Sequence, residues 1–222
     1  MFCQQLHGTV ALDAIGDRFL AWQRSGQPDT GISTAQVLGQ VTSGSDLPSV
    51  AADYFDSHPR GAAGNGALMR TAPVALAHLG DDAAISGAAR AVAELTHADP
   101  LAGDSCVLWC LAIDRAIRQD RLDGVRDGVA YLPDPRRQFW SDALTEAEPA
   151  CHLQDVLIEA VRIGDDTDTV AAIAGMVLGA RWGAAAVPPA WRDLLHGWPG
   201  LQAADLERLV ILTVNGGRAK GA

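Results

Sequence analysis

The sequence predicts an all-α, single-domain protein, and three observations lead there. The chain is rich in alanine and poor in aromatics, which make up 5% of its residues, and alanine is the strongest helix former. Apolar residues recur at spacings of three and four in one segment after another, the period of a helix with one buried face. No stretch alternates apolar and polar residues as a half-buried strand does, and neither repeats nor a linker interrupt the pattern. With 222 residues the chain is long enough for one sizeable core and at most two.

The helices can be placed in order. Ile15, Phe19 and Trp22 share a face, and Gly26 follows as a stop. After the loop Pro28-Asp29-Thr30-Gly31, Ser33 or Thr34 can cap a helix carrying Val37, Leu38 and Val41 and ending near Gly44. Asp46 opens a short helix with Leu47, Val50 and Tyr54, closed by Pro59. The run Ala67–Val74 reads as helical, with Pro73 kinking it or starting a new helix. Ile85, Val92 and Leu95 mark the next. Asp99-Pro100 is a cap followed by a first-turn proline, and the segment behind it, through Ile117, is apolar on more than one side, as a central buried helix would be. Asp134-Pro135 repeats that start. Val170–Met176 is nearly all small or apolar and reads as a second interior helix; shorter helices are expected around Trp191–Leu195 and Leu206–Leu212.

Composition removes several functions. A net charge of −10 argues against nucleic-acid binding, which needs clustered basic residues. Lys220 is the only lysine among many arginines, a bias that suggests a GC-rich bacterial genome. No signal-peptide pattern opens the chain, and no stretch approaches the roughly 20 apolar residues of a membrane span. The four cysteines are Cys3, Cys106, Cys110 and Cys151. None has zinc-site spacing, and Cys106 and Cys110, four apart on one helix face, read as buried thiols of a cytoplasmic protein.

Two segments carry chemistry. Asp166, Asp168 and Thr169 gather carboxylate and hydroxyl oxygens at a helix N-terminus. These are ligands that Mg²⁺ or Mn²⁺ prefers, at a helix end that favours negative charge. The competing reading is a helix cap with solvated neighbours. Because the following helix is apolar nearly all round, its N-terminus should lie in or beside the interior, where Asp165, Asp166 and Asp168 would repel one another without a cation or solvent. The three residues supply about half of the six oxygens of Mg²⁺. Gly64-Asn65-Gly66 could let backbone amides approach a phosphate or sugar, with Asn65 adding a donor and an acceptor. Taken alone, Asn-Gly is equally a common turn.

Together the segments resemble the ADP-ribosylglycohydrolase family. Its Gly-Asn-Gly-x-x-Met-Arg-x-x-Pro segment stands here as Gly64 to Pro73, and its Gly-Gly-Asp-Thr-Asp-Thr-Val-Ala-Ala segment as Gly164 to Ala172, with Asp165 in place of the second glycine. Thr96-His97 with Pro100 is similar to the family's Thr-His loop, and Pro28-Asp29-Thr30-Gly31 more loosely to its Asp-x-Gly substrate loop. The resemblance implies an orthogonal helical bundle over residues 1–222 around a cleft with two Mg²⁺ ions. It implies metal-dependent hydrolysis of the bond joining ADP-ribose to a modified protein or other acceptor, through an oxocarbenium-like transition state, with metals orienting ribose hydroxyls and activating water. Residue by residue, Asp166, Asp168 and Thr169 would bind metal; Gly64, Asn65 and Gly66 would line the ADP-ribose site; His97 and Asp29 would be further contacts.

The family's Thr-Asp-Asp-Thr-type motif has no counterpart here. Its acids, some near the reaction centre, are expected upstream of Met1, so the chain reads as truncated, the catalytic acids stay unassigned and weak metal affinity is expected. Asp13 and Asp17 read instead as a solvated helix face. Two other readings stand beside hydrolysis. One is a non-catalytic ADP-ribose-binding or regulatory protein of the same fold. The other is an isoprenoid-type diphosphate enzyme, which lacks its second acidic motif here. The acceptor stays open among arginine, serine, dinitrogenase reductase, nucleic-acid ends and small esters, as does the oligomeric state.

Overall fold

The computed structural model describes residues 10–26, 30–59, 64–145, 157 and 167–216. Its helices are α1 (Leu12–Arg24), α2 (Ile32–Leu38), α3 (Leu47–Ser57), α4 (Ala72–Ala77), α5 (Asp82–Glu94), α6 (Pro100–Gln119), α7 (Asp134–Thr145), α8 (Thr167–Trp182), α9 (Pro189–Arg192) and α10 (Ala203–Val214). The all-α expectation is met. The exception is a minute antiparallel hairpin, β1 (His196–Gly197) and β2 (Leu201–Gln202), pairing His196 with Gln202. Strands of two residues are too short to alternate, so the sequence pattern misses them.

Helix α6 is the axis of the bundle. Asp99 begins it as expected, its Oδ1 accepting from the Leu101 amide at 2.7 Å, with Pro100 in the first turn. Leu108, Leu111 and Ile113 are all but fully buried along it, and α4, α5 and α8 pack around it. The Trp109 indole donates to the Ile173 carbonyl at 2.8 Å, pinning α6 to α8. Cys106 and Cys110 are buried free thiols. Burial pushes Cys106 up to about 12 and raises Cys110 further, so neither is a reactive thiolate.

A helix buried on all sides must also settle its own charges. Asp104, fully buried on α6, receives Arg90 of α5 at 2.6 Å, Arg136 of α7 at 2.5 Å and the Trp140 indole at 3.3 Å. Burial alone would raise this carboxyl, but the Arg136 and Arg90 contacts outweigh it and hold it below the usual range. Lower down, Arg115 binds Asp82 at 2.6 Å, Asp114 at 2.6 Å and Asp127 at 3.1 Å, while Asp114 also accepts from the Gly80 amide at 2.8 Å. These networks staple α5, α7 and the turns Asp123–Val125 and Asp127–Tyr131 to the central helix.

Several local expectations change. Helix α2 starts at Ile32 with Gly31 before it and no side-chain cap, so Thr34 is a buried helical residue and not a cap; it stops at Leu38, short of Val41. Helix α3 ends at Ser57, before Pro59. The run Ala67–Val74 splits into a 3-10 turn, Leu68–Arg70, and α4, which takes Pro73 in its first turn. Helix α8 is half-buried and not interior: Thr169, Val177 and Leu178 are its buried residues among those described. Asp13 and Asp17 are both exposed as expected, and Asp17 has a structural task besides. Its Oδ1 accepts from the Gly44 amide at 2.7 Å where α1 crosses the Gly44–Asp46 turn. A Cβ on Gly44 would lie 2.2 Å from the Asp13 carbonyl, so the crossing requires glycine.

Replacing Asp104 with alanine strands two arginines that can partly reach solvent. We expect roughly 3 kcal/mol of destabilisation, read as a lower midpoint in urea unfolding with an unchanged m-value.

Candidate active site

His97 sits in the short loop between α5 and α6, and both neighbours hold it. The amides of Thr96 and His97 donate to the Ala93 carbonyl at 3.1 and 2.9 Å, continuing the end of α5, and Asp99 caps α6 two residues on. The imidazole is buried, 3% exposed. Its Nε2–Cε1 edge lies against the Gly64-Asn65-Gly66 segment. A Cβ on Gly66 would stand 3.1 Å from Cε1 and 3.3 Å from Nε2, and one on Gly64 would stand 3.4 Å from Nε2. Gly66 therefore leaves room for the ring, a reason separate from the backbone freedom expected of it, whereas a Cβ on Gly64 would make an ordinary contact. Thr34 Oγ1 lies 3.3 Å from the same Gly66 position.

The opposite edge of the ring is polar. His97 Nδ1 lies 2.8 Å from Thr96 Oγ1, and Arg70 Nη2 donates to that same oxygen. The Arg70 guanidinium stacks over the Phe19 ring at 4.5 Å. It has no carboxylate partner among the described residues, and its Nε is buried without an acceptor. Burial lowers Arg70 to about 10, and burial followed by the Arg70 charge pushes His97 down to about 4. His97 is thus neutral at pH 7.

The backbone then carries the segment towards the acids. The Met69 amide donates to the Asn65 carbonyl at 3.2 Å, curling the chain into the Leu68–Arg70 turn, and α8 packs on that turn. Asp168 is exposed in the first turn of α8 and Thr169 beside it is buried. The structure thus gathers Gly64, Asn65, Gly66 and His97, and brings the helix bearing Asp168 and Thr169 against the turn that follows them. Asp29 and Asp166 lie outside the described residues. Arg70, Thr96 and Thr34 are contributors that the sequence reading did not assign to the site. Arg70 and Thr96 stand inside the quoted motifs, but spacing cannot show a guanidinium meeting a hydroxyl across two segments.

Asp168 and Thr169 are hard oxygen donors, the right type for Mg²⁺. Among the described residues, no group of three His, Cys, Asp or Glu side chains could hold a metal. The described donors therefore fit in kind and do not complete a site by themselves.

The profile of the ADP-ribosylglycohydrolase family matches residues 2–219. The chain belongs to the ADP-ribosylglycohydrolase family. It is accordingly a hydrolase by family. Among curated relatives it resembles the ADP-ribosyl-[dinitrogen reductase] glycohydrolase of Rhodospirillum rubrum, 27% identical over 205 residues that cover 85% of this chain and 67% of that one. Among solved structures it matches an "ADP-ribosylglycohydrolase-related protein complex" with a TM-score of 0.63 and 22% identity, covering 92% of this chain and 74% of the other. That likeness establishes the shared fold. No helix among the described residues is long and apolar enough to cross a membrane.

A neutral His97 makes stability depend on pH. The unfolded chain protonates this side chain near 6.5 and the folded chain only near 4, so the unfolded state binds more protons between those values. Stability should therefore fall as pH drops from about 6.5 towards 4, by on the order of 3 kcal/mol in total. Thermal melts of the wild type and His97→Gln across this range should show a shallower pH slope in the variant.

Proposed function

We propose that the protein removes ADP-ribose from a modified protein, hydrolysing the bond between the anomeric carbon of the ribose and its acceptor. Water adds at that carbon and the acceptor leaves with a proton. The observation that carries this reading is the meeting of two distant family segments: α8, the helix that Asp168 and Thr169 begin, packs on the turn that ends Gly64–Arg70. In this reading the Gly64-Asn65-Gly66 segment and His97 bind the ADP-ribose moiety, and Asp29 is a further contact. At neutral pH His97 is too weak a base to take a proton, so its task is to orient. Asp166, Asp168 and Thr169 would hold Mg²⁺ or Mn²⁺, two ions in the family's pattern, together with further ligands. Bound there, the metal would supply Lewis-acid chemistry: activating water and fixing ribose hydroxyls.

Release of free ADP-ribose from protein substrates with arginine or serine linkages tests this directly, with Mg²⁺ or EDTA present. We expect Mg²⁺-dependent release that falls at least about 100-fold in Asp168→Ala. Tight ADP-ribose binding without release on any substrate would overturn hydrolysis and favour a binding protein of the same fold.

A further inference from the structure

The hydrogen bonds of Thr96 fix a property of His97 that follows from neither the fold nor the family. Thr96 is buried, 1% exposed, and its hydroxyl has one hydrogen to give and two lone pairs. Arg70 Nη2 occupies one lone pair, because a guanidinium only donates. The second contact of Thr96 Oγ1 is His97 Nδ1 at 2.8 Å. No other hydrogen-bond partner of this oxygen lies among the described residues. Had Nδ1 carried the imidazole proton, the hydroxyl hydrogen would be buried with no acceptor, at the cost of an unmade hydrogen bond. The hydroxyl therefore donates to Nδ1, Nδ1 accepts, and the single proton of the neutral ring resides on Nε2. That is the edge facing Gly64 and Gly66.

We propose that Arg70 and Thr96 are positioning residues that lock His97 in the Nε2–H tautomer, so that it presents a hydrogen-bond donor to an oxygen of the ADP-ribose held at the Gly64–Gly66 loop. Arg70 orients the hydroxyl and the hydroxyl sets the ring. Burial and the nearby guanidinium charge keep a second proton off the ring at pH 7. The ligand half of this inference rests on the proposed function; the tautomer half does not.

Long-range ¹H–¹⁵N spectra of the imidazoles at pH 7 read the tautomer, with His97 assigned by its loss in His97→Gln. The wild type should show a protonated Nε2 and a bare Nδ1. Thr96→Val keeps the shape and removes the hydroxyl. It should move His97 towards mixed tautomers and weaken ADP-ribose binding about 10-fold, while Thr96→Ser restores both. A wild-type Nδ1–H form or imidazolium would overturn the proposal without any variant being made. So would a Thr96→Val spectrum unchanged from the wild type. A correct tautomer response with unchanged ADP-ribose affinity would overturn the ligand half. If the wild type binds no ADP-ribose at all, the proposed function falls while the spectra still decide the relay.

Discussion

Burial of one helix on every side organises this molecule. Helix α6 has no solvent face over most of its length, so its charged side chains need partners from its neighbours. Asp104 draws in α5 and α7, and Arg115 gathers Asp82, Asp114 and Asp127. Buried ion pairs of this sort add little net stability over apolar packing, yet removing one partner is costly, so they specify which surfaces meet. The start of the helix is equally constrained. Asp99 must cap it, and this places Thr96 and His97 at a defined point where α5 hands over to α6.

The candidate site grows out of that point. One edge of the His97 ring meets two glycines and the other meets a threonine held by an arginine. Any side chain on Gly66 would displace the ring by a few tenths of an ångström. Burial, and after it the charge of Arg70, which stacks on an aromatic ring beside it, lowers the proton affinity of His97. Desolvation and tight packing thus do at His97 what a carboxylate partner does at many catalytic histidines, with opposite sign: they keep it uncharged.

Much of this was legible in the sequence, for definite reasons. Helical periodicity and alanine content predicted the class, and Asp99-Pro100 marked the central helix because a cap and a first-turn proline are local signals. The Gly-Asn-Gly and Asp-Thr-Asp-Thr segments pointed to the family. Features that depend on three-dimensional neighbours were not readable. The half-burial of α8 contradicts its uniformly apolar composition, since composition reports what a helix tolerates and not what covers it. Thr34 looked like a cap because threonine often is one, and only packing against Gly66 reveals its place. Asp17 is exposed as its position on α1 suggested, but its bond from the Gly44 amide was not readable because that partner is distant in sequence.

In the proposed function, the Gly64–Arg70 segment, His97 and the start of α8 form one binding surface. Hydrogen–deuterium exchange with and without ADP-ribose at saturating Mg²⁺ tests it most directly. Slowed exchange is expected together in peptides covering Gly64 to Arg70, Thr96 to Ala98 and the first turn of α8, with α7 and α10 unchanged. Protection confined to α7 or α10, or in only one of the three segments, would contradict a site assembled from all of them.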